Sequence, residues 1–232
     1  MRGILLLQLG TPDAPTAEAL RRYLREFLGD PRVIDLPAPL RVALLEAVIL
    51  PFRPRRSAKA YAKIWTDAGS PLLVHGRALA NALAKTLGPA FHVELGMRYG
   101  RPAISDALDS LVAAQLESIV VVPLFPQYAS SSAGSALERV YGAAAQRSNV
   151  PALRGVPPFF GDPGFIRALA ALARPILERA DHLLLSYHGL PERHLRKADP
   201  TGTHCLASGD CCERASAAHA TCYRAHCSHV SR

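Results

Sequence analysis

His188 closes an apolar run, Leu183-Leu184-Leu185-Ser186-Tyr187-His188, that Gly189-Leu190-Pro191 then breaks. A neutral imidazole can take or give a proton near pH 7 and can also ligate a borderline metal ion. A histidine in an apolar run is more often a satisfied core residue. Here the ring falls where the run stops, which is how a buried parallel strand delivers a reactive group to the mouth of a crevice. Ser186 lies two residues back, so both side chains face one way along a strand. That suits a hydrogen bond orienting the ring, but there is no G-x-S-x-G elbow to make the serine a nucleophile. No G-x-G-x-x-G follows the first apolar run and no G-x-x-x-x-G-K-[ST] occurs anywhere, which disfavours dinucleotide and nucleoside triphosphate chemistry.

The elements that must position such a group follow from periodicity. Gly3 to Leu9 reads as a strand. Thr16 caps a helix with Leu20, Tyr23, Leu24, Phe27 and Leu28 on one face, ended by Gly29-Asp30-Pro31. Leu40 to Leu50 predicts a short helix between prolines, then a basic turn at Arg53-Pro54-Arg55-Arg56 and a helix around Ala58 to Trp65. Ser70 as cap and Pro71 at the first position start a helix that runs to Gly88-Pro89. Strands are expected at Phe91 to Leu95 leading into Arg98-Tyr99, at Ser118 to Val122 leading into Gln127-Tyr128, near Leu153 to Val156, and at Asp181 to Tyr187. Helices fall between them: one marked by Ile104, Leu108, Leu111 and Val112, one from Ser130 toward Gln146, and one from Pro163 to about Glu178, kinked at Pro175. Strands alternating with helices predict βαβ units and a mainly parallel sheet, with ligands bound beyond the carboxyl ends of its strands. Gly10-Thr11-Pro12, Arg98-Tyr99, Gln127-Tyr128 and His188 all lie at that edge.

Composition narrows the class. Among 232 residues, 49% are apolar and 20% charged, as in a globular protein rather than a disordered or membrane-embedded one. The formal charge of +8 suits an acidic ligand or a membrane surface, yet the arginines are scattered. No basic stripe with interleaved aromatics is present, so nucleic acid is not an expected partner. Leu40 to Leu50, flanked by Arg41 and Arg53, could lie on a membrane, although packing against the core is the commoner fate. Residues 4–9 are too short a run for a signal peptide, and a cytoplasmic location is expected. All five cysteines lie between Cys205 and Cys227, so the preceding fold owes nothing to disulfides.

Five segments, in order, carry a resemblance: Gly3-Ile4-Leu5-Leu6-Leu7-Gln8-Leu9-Gly10-Thr11-Pro12; Ala60-Tyr61-Ala62-Lys63-Ile64-Trp65 with Gly69-Ser70-Pro71; Gly96-Met97-Arg98-Tyr99-Gly100; Pro123 to Ser135; and Leu184-Ser186-His188-Gly189-Leu190-Pro191. The chain resembles bacterial ferrochelatases, which insert ferrous iron into a porphyrin in haem synthesis. The resemblance implies a Rossmann-like, chelatase-type α/β domain over 1–157, the start of a second α/β half over 158–200, and a porphyrin cleft. It implies that His188 is the cleft histidine, catalytic and an iron-site residue, acting as base or as Fe²⁺ ligand. Leu9 would face the opposite side of the macrocycle. Arg53, Tyr61, Ser70, Arg98, Tyr99 and Tyr128 would line the porphyrin pocket. Protoporphyrin IX and coproporphyrin III both stay open as substrates.

The quoted motifs stop near Pro200. From Thr201 to Arg232 the only Leu, Ile, Val, Phe or Met residues are Leu206 and Val230, too few to bury a face, so a disordered Cys/His-rich tail over 201–232 is expected. A shifted reading frame or truncated gene is the favoured explanation, with loss of activity as its consequence and a non-catalytic tetrapyrrole-binding protein as the alternative. Some ferrochelatases carry a [2Fe–2S] centre on C-terminal cysteines. The spacings C-x₅-C-C and C-x₄-C lack paired C-x₂-C knuckles, and neither zinc nor such a cluster is expected on Cys205, Cys211, Cys212, Cys222 and Cys227.

Overall fold

A computed structural model describes residues 1–232 as two compact units, one built from Met1–Leu124 with Ser135–Val156 and one from Phe125–Gly134 with Pro157–Arg232. The first unit is a four-stranded parallel sheet of β1 (Arg2–Thr11), β2 (Phe91–Gly100), β3 (Ser118–Pro123) and β4 (Ala152–Gly155), in the order β2-β1-β3-β4. The apolar run from Gly3 to Leu7 is buried without a break because β1 is central and covered on both faces. Ile4 and Leu6 pack with Leu95, Met97 and Ala80 against α4 (Pro71–Leu87). Leu5 and Leu7 point the other way and are fully buried, as are Ile104, Leu108 and Leu111 of α5 (Ile104–Ala113). The edge strand β4 is short and largely exposed.

The parallel register sets Gly10 beside Tyr99 and Leu7 beside Pro123, so the first three strands end at one edge of the sheet. Gly10 has φ +117°, and a β-carbon there would stand 1.8 Å from the Tyr99 carbonyl oxygen. Only glycine fits. Beyond this edge α1 (Ala17–Gly29), capped by the Thr16 hydroxyl accepting from the Ala19 N–H, lays Leu20, Tyr23, Leu24 and Leu28 into a second core with Tyr99.

The expected basic turn at residues 53–56 is helix instead. Helix α2 (Ala38–Ala43) passes through a π-helical turn (Leu44–Ile49) into α3 (Leu50–Ala62). Pro51 falls in the opening turn of α3, where an N–H is not needed, and Pro54 gives up one helical hydrogen bond while its ring is buried. Ser70 precedes α4 as expected, but its hydroxyl does not cap the helix; it is held by Thr11.

The second unit contains α7 (Pro163–Leu177), α8 (Glu192–Lys197) and α9 (Tyr223–Val230); α6 (Ser135–Ala145) belongs to the first. Asp162 caps α7, accepting from the N–H groups of Gly164 and Phe165. The strand expected at 181–187 is not formed. All four strands belong to the first unit, so nothing in the second offers this run a ladder, and Leu184 is 91% exposed. An isolated extended segment has no hydrogen bonds to hold it as a strand.

Residues 201–232, expected to be disordered, form a 3₁₀ turn (Ala217–Ala220) and α9. Their core uses small side chains: Cys205, Ala218, Cys222 and Ala225 are buried together. The Asp199 carboxylate organises the entry, accepting from the backbone N–H groups of Thr201, His204 and Cys205 and from the Thr201 hydroxyl. Those donors, the Cys205 N–H foremost, hold its pKa well below the usual carboxylate range. No helix is long and apolar enough to cross a membrane.

Candidate functional site

In the first unit, Leu9 and Tyr61 lie half-buried against one apolar cluster that contains Tyr23 and Tyr99. The Tyr23 hydroxyl donates to the Gly10 carbonyl at 3.2 Å. Burial raises the pKa of the Tyr23 and Tyr61 phenols, so they stay neutral at physiological pH. The structure therefore brings Leu9 and Tyr61 together at the end of β1. Arg53 is exposed and lines an open groove of about 580 Å³ with Val48, Ile49, Phe52, Arg56 and Ala60. Ser70 is buried; the Thr11 hydroxyl donates to its oxygen at 2.7 Å, beside a second hollow of about 360 Å³ that also meets Trp65, Arg77 and Arg101.

Two of the expected pocket residues are spent internally. Tyr99 is fully buried, and its hydroxyl donates to Asp30 Oδ2 at 2.8 Å. Arg98 donates from Nη2 to the same oxygen at 2.7 Å and from Nε to Ser135 Oγ at 2.6 Å, with its guanidinium 4.4 Å from the Tyr99 ring centroid. Tyr99 thus sits in the core of the first unit, and Arg98 is a partly exposed strut between β2, the end of α1 and the start of α6. Burial alone would raise the pKa of Asp30. The Ser135 hydroxyl, the Arg32 N–H, the Tyr99 hydroxyl and the Arg98 charge together pull it below the ordinary value. Sequence reading took Asp30 only as part of a helix stop, because its partners lie 68 to 105 residues away.

In the second unit, Tyr128 is half-buried and its N–H donates to Nδ1 of His226 at 3.1 Å. His188 is exposed. Its segment is fastened by the Tyr187 hydroxyl, 2.9 Å from Ser231 Oγ. An imidazole with an open face can exchange a proton or meet a metal ion, which a sealed one cannot.

The tail cysteines are all free. Cys205 and Cys222 are buried in one cluster that Cys212 packs against. Burial first, then the neighbouring thiols, pushes Cys205 up to about 12 and Cys212 up to about 11, so both are protonated at neutral pH. No three of the His, Cys, Asp and Glu side chains gather closely enough to hold a metal ion.

The fold and the residues at its strand ends define a chelatase-type α/β protein: a parallel sheet with tyrosine, arginine and buried hydroxyl groups beyond its carboxyl edge, and an exposed histidine on a separate unit. The chain belongs to the ferrochelatase family, whose model, described as Ferrochelatase, matches residues 1–232. A ferrochelatase of Coxiella burnetii (strain Dugway 5J108-111) is 45% identical over 232 residues, which is 99% of this chain and 64% of that protein. Ferrochelatases of Pseudomonas entomophila and Pseudomonas fluorescens are 48% and 49% identical, each over 97% of this chain and 66% of theirs. The chain thus spans about two thirds of the length of the curated relatives it matches. The family match continues through residues 201–232, which sets aside the expectation of a foreign reading frame there.

Proposed function

We propose that the protein inserts ferrous iron into a porphyrin in haem synthesis. The observation that carries this reading is family membership along the whole chain, with His188 open to solvent. Free porphyrin keeps two N–H protons in its ring plane, where a base and a metal ion cannot both reach. Gripping the rim can tilt a pyrrole so that its N–H leaves the plane, at a strain of order 1–5 kcal/mol drawn from remote binding contacts. The His188 imidazole then accepts the pyrrole proton or meets the incoming iron. In the first unit Leu9 and Tyr61 offer apolar surface and Arg53 an exposed cation for a carboxylate rim, and in the second Tyr128 offers an aromatic face. Iron is a substrate here, not a resident group. Unpaired thiols at all five cysteines support a reducing compartment such as the cytoplasm.

The test is iron insertion into protoporphyrin IX and coproporphyrin III by the intact protein. His188→Ala should lower turnover by at least a hundredfold, within the usual contribution of a proton-transfer group, while porphyrin affinity changes little. Equal turnover in the two proteins would end the assignment.

We also infer peripheral contact with an anionic membrane surface. Leu40, Val42, Val48 and Phe52 are exposed along α2 and α3, and Phe52 is 74% exposed beside Arg53, Arg55 and Arg56.

A further inference from the structure

We propose that His226 is a positioning residue for Tyr128, holding the backbone of that segment through an unprotonated Nδ1. The ring is fully buried and both nitrogens are engaged. Nε2 lies 2.7 Å from the carbonyl oxygen of His219, a contact that requires a proton on Nε2. That fixes the tautomer and leaves Nδ1 as an acceptor, which the Tyr128 N–H meets at 3.1 Å. Phe160 stacks on the ring with centroids 3.8 Å apart and planes 14° from parallel, which sets its rotation.

Through this contact α9 holds the Tyr128 segment across 98 residues of sequence. The segment is tied again at the next residue, Ala129, which is buried and whose carbonyl accepts from the N–H groups of Ser132 and Gly134. A ring that rotates, or that carries a second proton, turns a donor or a carbon edge toward the Tyr128 N–H and releases it. His226 touches no reacting atom; it acts on porphyrin only through Tyr128, and so the inference rests on the reading of Tyr128 as a pocket wall.

Two variants separate the contact from simple filling of space. His226→Phe keeps a flat ring for Phe160 but has no acceptor. His226→Asn places an amide oxygen near the position of Nδ1. Amide hydrogen exchange at Tyr128 and a protoporphyrin IX titration followed by its Soret band are measured on the intact protein at pH 7.5, with Tyr128→Ala as a further variant. Exchange at Tyr128 should quicken about tenfold in His226→Phe, equivalent to about 1.4 kcal/mol of lost protection. Porphyrin affinity should fall several-fold with it, and His226→Asn should recover most of both.

Unchanged exchange in His226→Phe, or no recovery in His226→Asn, overturns the proposal. Weakened porphyrin binding in Tyr128→Ala beside unchanged binding in His226→Phe overturns it alone. Unchanged binding in Tyr128→Ala overturns the pocket reading, and the proposal with it.

Discussion

Asp30 shows how much one carboxylate can organise. Its Oδ2 receives Arg98, Tyr99 and Ser135, and its Oδ1 receives the Arg32 N–H, so three elements of the first unit meet on one side chain. Asp30→Asn leaves a largely buried guanidinium without its counter-charge and should destabilise the protein by about 3 kcal/mol, read as a lower urea midpoint. Because folding lowers the Asp30 pKa, the native carboxylate contributes stability in full above the unfolded value near 3.9. That contribution is lost as the pH falls through the lower folded value, and the urea midpoint of Asp30→Asn should lack this acid-limb component. At Ser70 the same logic is neutral. Ser70→Ala strands the buried Thr11 hydroxyl, at a cost of about 1–3 kcal/mol in the same measurement.

Helices α2 and α3 bury Leu45, Leu50, Pro54 and Ala58 toward α1 and leave Val48 and Phe52 outward beside arginines. An apolar ridge flanked by cations binds anionic vesicles through buried area plus charge attraction. Phe52→Ser should reduce co-sedimentation with phosphatidylserine vesicles several-fold without altering the helical circular dichroism. Binding that matches the parent protein would refute a membrane role for this face. Of these helices the sequence disclosed the apolar spacing, while the path through Arg53 to Arg56 was misread as a turn. Proline within four residues of a helix start is a weak breaker, and the buried ring of Pro54 could not be seen locally. The run 181–187 failed in the opposite direction, since its apolar stretch of strand length was evident but no neighbour supplied the ladder.

At the scale of the whole chain, the second unit is held by imidazoles and small side chains rather than by a large apolar core. His204 and His219 both contact the Cys211 carbonyl, and His226 links His219 to Tyr128. The ionisable groups facing His226 are His219 and His229, and burial foremost holds the His226 pKa below its ordinary value. The neutral ring is the folded form, so its contribution to stability is full above about pH 6.5. It fades as the pH falls below that toward the lower folded value. Thermal melts from pH 8 to pH 5 should show this loss, and His226→Phe should show less of it. Parent melts insensitive to pH across that range would contradict the assignment.

The order of strands and helices through residue 178, the apolar β1 run, the cap at Thr16 and the placing of Leu9, Arg98 and Tyr99 near the carboxyl ends of β1 and β2 were all legible from residue types and spacing. These are local patterns, fixed by backbone period and turn chemistry. Only the tertiary structure decided that Tyr99 is core and Arg98 largely committed, that Asp30 is their shared acceptor, that Tyr128 is held by His226, and that residues 201–232 pack. Each of those depends on a partner distant in the chain, and neither periodicity nor propensity carries information about which distant polar group will be satisfied by which.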